Sequence, residues 1–235
     1  MSSQPLFSDR TEAGEKLAKL IVDELAQLHS TGITAPPIVY ALPRGGIPIA
    51  VPIANALDCP INILVAKKIT KPQNPELAIG AVTADGQVLW LKENPFRKFQ
   101  QHLQQEVLHQ AQEKAQAQLA EFSSSCPQVS AEGAIAILID DGIATGMTMA
   151  AAAQSVRTQN PAEVWIATPV APEDLIQWLH EWCDRAIVLE TPNPFLSVSR
   201  FYTEFPQVET HVALDYLRQH NAFFLSNTSN PSQEE

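Results

Sequence analysis

The residues best placed to do chemistry are Asp140 and Asp141, two adjacent acids that end the apolar run Ile137-Leu138-Ile139. Across Gly142-Ile143-Ala144 they are followed by Thr145-Gly146-Met147-Thr148, and then by Met149 to Val156, which reads as a helix. Ligands of open α/β sheets bind just beyond the carboxyl ends of strands. A helix N-terminus there offers free backbone N–H groups and a positive dipole to an anion. Gly146 lets the backbone come close, and Thr145 and Thr148 add hydroxyl donors, so the loop is a phosphate cradle. Paired carboxylates cannot favour a phosphate directly; they suit polyol hydroxyls or a divalent cation. A ribose carrying a 5-phosphate satisfies both halves at once.

Two other segments could meet the same ligand. Leu42-Pro43-Arg44-Gly45-Gly46 follows the short apolar run Ile38–Leu42, and its glycines would let backbone amides face an anion with Arg44 as a bidentate donor. Lys67-Lys68-Ile69-Thr70-Lys71 holds three of the chain's fifteen basic residues within five positions. Each taken alone is also an ordinary turn or a solvated face.

Strands alternating with helices must position these groups. Ile38–Leu42, Ile61–Ala66, Ala134–Ile139, Glu163–Ala167 and Ala186–Leu189 read as strands, with helices over Ile47–Leu57, Met149–Val156 and Glu173–Trp182 between them. That order predicts βαβ units and an open, mainly parallel α/β sheet. Leu77–Val82 and Gln87–Leu91 flank Ala84-Asp85-Gly86, a hairpin signal. Asp9 three residues before Glu12 opens an N-terminal helix, assigned to residues 1–34. Eight of the nineteen residues from Gln100 to Gln118 are glutamine, with Phe99, Leu103, Val107, Ala111 and Ala115 recurring every four. Residues 95–122 therefore read as an inserted helix with a thin apolar stripe, laid on the surface. The main domain is placed at 35–222, and 223–235 as a disordered tail.

The strand, acid pair and Thr-Gly-x-Thr resemble the phosphoribosyl pyrophosphate (PRPP) motif of type I phosphoribosyltransferases. The resemblance covers roughly residues 35–92 and 130–206; bacterial phosphoribosyltransferase-domain proteins without a known acceptor resemble the chain over nearly its whole length. It implies that Asp140 and Asp141 contact the ribose hydroxyls and that Ala144, Thr145, Gly146, Met147 and Thr148 bind the 5-phosphate. Arg44, Gly45 and Gly46 would face the diphosphate. Lys67, Lys68 and Lys71 would neutralise the leaving pyrophosphate, and Glu76, in a mobile loop over 72–76, would serve the base side. The hood that this family sets over the base falls at 191–206, with Phe195 and Tyr202 as stacking candidates. Mg²⁺ is the implied cofactor, held mostly through PRPP with Asp140 and Asp141 nearby, and a homodimer is the implied assembly. Two departures stand out: Gly142 occupies a position where a branched apolar residue is common, and Met147 one where a small residue is usual. Ala144 also lacks the carboxylate that hypoxanthine-guanine members carry there, so assistance to the base must come from elsewhere.

The expected reaction is transfer of a 5-phosphoribosyl group from PRPP to a purine or pyrimidine base; the alternative is a PRPP-binding regulator without turnover. Twenty-six acids against fifteen bases leave a net charge of −11, which argues against nucleic acid as a partner. The longest strictly apolar run, Ala134–Ile139, is far below the ~20 residues needed to span a bilayer. The first residues lack a signal-peptide layout, and Cys59, Cys126 and Cys183 form no CxxC pair, which fits a reduced, cytoplasmic setting. No GxSxG elbow or GxGxxG fingerprint supports a hydrolase or dinucleotide enzyme.

Overall fold

In the computed structural model, which describes residues 5–71, 74–91 and 101–228, the Asp140-Asp141 strand lies at the centre of a five-stranded parallel sheet. Its strands are β1 (Pro37–Ala41), β2 (Ile61–Ile63), β6 (Ile135–Ile139), β7 (Glu163–Val170) and β8 (Arg185–Glu190), in the order β2-β1-β6-β7-β8. Every residue of β6 is fully buried, because helices cover both faces. Side chains alternate across a strand, so Ile135, Ile137 and Ile139 enter one core while Ala136 and Leu138 enter the other. The first core is closed by α1 (Arg10–Ser30) and α2 (Gly46–Leu57), the second by α4 (Met147–Arg157) and α5 (Glu173–Leu179).

Helix α1 is part of this domain, not an appendage. Ala13, Leu17 and Ile21 are fully buried in the first core. Its start is a capping arrangement: Asp9 accepts from the Glu12 amide at 2.8 Å, and Glu12 accepts from the Ser8 amide and hydroxyl. Those bonds and Lys16 hold the Glu12 carboxyl down at about 2.

A second, antiparallel sheet joins β3 (Ala66–Lys71), β4 (Asn74–Thr83) and β5 (Val88–Trp90). The hairpin over Ala84-Asp85-Gly86 is present between β4 and β5, pinned where the Ser155 hydroxyl of α4 donates to Asp85 at 2.8 Å. The basic segment expected as a loop is strand β3, because β4 supplies its hydrogen-bond partners from Ala66↔Thr83 to Lys71↔Asn74. The mobile loop placed at 72–76 is correspondingly reduced: Asn74 already belongs to β4, while Pro72 and Gln73 lie outside the described residues.

The glutamine-rich helix α3 (Gln101–Phe122) has a structural job. Val107, Leu108 and Ala111 pack on Ile69, Ile79 and Val82, so α3 is laid over the antiparallel sheet and backs it with its apolar stripe. Residues 92–100, including Phe99 of the expected stripe, lie outside the described residues.

Part of the segment expected as a disordered tail is helical. Helix α6 spans Thr210–Thr228 and therefore takes in the first six residues of 223–235. It is fixed by tertiary bonds that a local pattern does not show. The buried Asn221 amide accepts from Ile61 N (3.0 Å) and donates to Ile61 O (2.8 Å) and Ser125 O (2.9 Å). Asn221→Ala would orphan these groups, and a loss of about 2 kcal/mol is expected in chemical denaturation.

Candidate functional site

Strand β6 delivers Asp140 and Asp141 to the carboxyl edge of the sheet. The chain then turns through Gly142–Gly146, fastened where the Ile143 amide donates to Val170 O at 2.9 Å. Gly146, at φ +72°, starts α4. Ala144 and Thr145 are exposed and Thr148 is half-buried, so this helix start opens to solvent. Met147 is buried, packing with Ala151 against Ala81 of β4, so only its backbone is left for a ligand. That packing accounts for a large residue where a small one was expected.

The Pro-Arg-Gly-Gly turn between β1 and α2 abuts the acid pair. A methyl group on Gly45 would run into the Asp141 carboxylate, lying 2.6 Å from its Cγ; glycine is required by this approach. The two loops, about a hundred residues apart in sequence, thus form one surface. Arg44 does not project freely: its Nη1 donates to Thr210 Oγ1 at 2.9 Å, at the start of α6. Gly142 has a related cause. A Cβ there would lie 2.7 Å from Val198 Cγ2, so the space of a branched side chain at 142 is filled from the segment 191–206.

Electrostatics separates the two acids. Burial, then the neighbouring Asp141 charge, pushes the Asp140 carboxyl well above the ordinary carboxylate range, although its Oδ1 accepts from the Asp141 amide at 2.9 Å. Burial also raises Asp141, but there the Arg10 guanidinium opposes it, with Arg10 Nε donating to Asp141 Oδ2 at 2.8 Å. Arg10 was missed by sequence reasoning: it sits 131 positions from its partner, and only its place after a capping Asp is visible locally.

Lys67 is half-buried, and desolvation followed by the nearby Arg44 charge lowers its ammonium pKa. The two cations therefore share one neighbourhood. Lys68 is exposed on β3, Lys71 closes that strand, and the Glu76 side chain lies outside the described residues.

The stacking assignment divides. Tyr202 is buried, its ring packed between Phe7 and Phe205 and its hydroxyl donating to Asp141 O at 2.7 Å; it supports the acid loop and cannot stack on a base. Burial pushes its phenol upward. Phe195 packs on Phe201 yet also lines a cleft of about 790 Å³. That cleft begins at Ala144 and runs between residues 172–175 and 192–196. Its acidic lining is Glu173 and Asp174 at the start of α5, both exposed.

Among the described residues no three His, Cys, Asp or Glu side chains cluster as a metal-binding group. The hard oxygens of Asp140 and Asp141 fit a magnesium ion that is held largely by a phosphorylated ligand and water. No helix among the described residues is long and apolar enough to cross a membrane.

Comparison with known proteins agrees with this arrangement. The chain is 34% identical over 223 residues, 93% of its length, to a Mycobacterium tuberculosis protein (strain CDC 1551 / Oshkosh) provisionally described as a phosphoribosyl transferase. The corresponding protein of strain H37Rv matches equally, and the chain spans 48% of each relative's length. Among solved structures, TT1426 from Thermus thermophilus superposes with a TM-score of 0.74 at 28% identity, over 91% of this chain and 98% of that one. The profile described as "Phosphoribosyl transferase domain" matches residues 8–180, from just before Arg10 to just after α5. With its acid pair and its glycine turn meeting at the edge of a parallel sheet, this chain belongs to the phosphoribosyl transferase domain family.

Proposed function

We propose that the chain transfers the 5-phosphoribosyl group of PRPP to a nitrogenous base and releases pyrophosphate. The observation that carries this reading is the abutment of Gly45 on Asp141 beside the α4 N-terminus. It makes surfaces suited to diphosphate, ribose and 5-phosphate contiguous, in the order in which PRPP presents them. On this reading the cleft that starts at Ala144 takes the acceptor base.

On this reading the amides and hydroxyls of 144–148 hold the 5-phosphate, and Asp140 and Asp141 hold the ribose hydroxyls. As the bond to the diphosphate breaks, positive charge grows on the ribose ring, and the acids stabilise it without moving. Backbone amides at Gly45 and Gly46, with Lys67, Lys68, Lys71 and Arg44 around them, offset the charge of the leaving group. Mg²⁺, when bound, would offset diphosphate charge, with the Asp140 carboxylate as the residue that would help hold it. The base attacks the opposite face, so configuration inverts. Ala144 offers no carboxylate, and we assign the N–H groups of the base to Glu173 or Asp174 on the same cleft, in place of Glu76.

The test is pyrophosphate release from PRPP and Mg²⁺ over a panel of purine and pyrimidine bases, alongside calorimetric PRPP binding. Base-dependent release supports the transferase. Tight binding without release supports the second reading, a PRPP-binding regulator, which the bare Ala144 position favours. No PRPP binding removes both.

A further inference from the structure

Arg10 carries a permanent charge yet is only 8% exposed, on a helix that no motif connects to the site. Three contacts hold its guanidinium. Nε donates to Asp141 Oδ2 at 2.8 Å, Nη1 donates to Pro206 O at 2.8 Å, and the Phe205 ring lies 3.7 Å beneath it. Asp141 is gripped from other sides too, by the close approach of Gly45 and by the Tyr202 hydroxyl on its carbonyl. Burying such a pair is weak as a source of stability, because desolvation offsets most of the attraction. Its distinctive product is orientation: a planar fork with fixed donors leaves the carboxylate one arrangement.

We infer that Arg10 is a positioning residue for ribose binding, holding Asp141 Oδ2 so that the remaining oxygen, Oδ1, is presented to a ribose hydroxyl. It does so from the N-terminal helix and is itself braced by Phe205 and Pro206. The rim of the hood, the first helix and the acid loop therefore act as one unit. Arg10 touches no substrate and works only through Asp141. The inference rests on the PRPP reading above.

The test is calorimetric PRPP–Mg²⁺ binding by the full chain and its variants R10Q, D141N and R10Q/D141N, with a thermal melt of each. R10Q should bind PRPP about tenfold or more weakly, the scale of losing one charge-assisted bond. The double variant should match D141N within about twofold, because Arg10 has nothing left to position once Asp141 is altered. R10Q binding as tightly as wild type or tighter overturns the inference, as does a double variant weaker than D141N by about another tenfold. If R10Q fails to fold, R10K keeps the charge but not the Nε geometry: weaker binding by a cooperatively melting R10K supports the inference, and wild-type binding overturns it. D141N with wild-type PRPP affinity would remove the ribose reading itself, whereas loss in D141N without loss in R10Q removes only the role of Arg10.

Discussion

Asp140→Asn is expected to make the protein more stable while weakening PRPP binding, whereas Asp141→Asn, one residue on, should weaken both folding and binding. The folded chain holds Asp140 partly buried against a second acid, which raises its carboxyl above the ordinary value of 3.8. Below that value both folded and unfolded chains keep the proton, and the acid costs nothing. As pH climbs from 3.8 to the raised value, the unfolded chain sheds a proton that the folded chain retains, so folding stability falls; above the raised value the penalty is constant. Asparagine carries no such penalty. The gain in Asp140→Asn should be absent near pH 4, grow with pH and then level off, reaching about 3–6 °C in melting temperature if it amounts to about 1–2 kcal/mol.

Asp141→Asn instead strands Arg10, a buried cation whose partner at 2.8 Å is lost. Breaking a buried pair on one side costs about 3 kcal/mol. Both variants should lose about a hundredfold in PRPP affinity, because a ribose hydroxyl is left facing an amide in place of a charge. Melting curves from about pH 4 to 9 and calorimetry check this. An Asp140→Asn protein no more stable than wild type at about pH 8 would remove the claim that burial beside Asp141 penalises the ionised acid.

Gly45→Ala should damage both stability and PRPP binding. Its Cβ would overlap the Asp141 carboxylate, and neither side can give way cheaply: Arg10 braces the acid, and β1 and α2 brace the turn. Overpacking of this kind costs about 1–3 kcal/mol of stability. The larger effect is expected on binding, because on the proposed reading separating the two loops parts the diphosphate surface from the ribose surface. A fall in PRPP affinity of about a hundredfold or more is expected, on the scale of a group displaced by an ångström. Calorimetry on a folded Gly45→Ala protein decides it, and near-normal affinity would show that the loops need not touch.

The parallel sheet and the strand-loop-helix form of the Asp140–Thr148 segment were legible because each depends on local signals: apolar runs, turn residues, and the alternation of strands with helices. Arg10 was not legible, since its role exists only once residues 131 and 196 positions away are folded around it. Tyr202 misled as a stacking candidate for a similar reason. Whether Tyr202 stacks on a ligand or braces Asp141 depends on which way its ring faces, and composition is silent on that. The segment Lys67–Lys71 looked like a loop because its charges mask a strand whose partner, β4, supplies the ordering. The glutamine helix showed its stripe but not the sheet that the stripe would cover.

Gly142 and Val198 occupy a single pocket of space between them. What one position gives up the other has taken, so neither can change size alone without either a collision or a void. The acid loop and the segment 191–206 of this lineage are therefore bound to drift together. That segment can be reshaped around position 198 only along paths that repack position 142 at the same step.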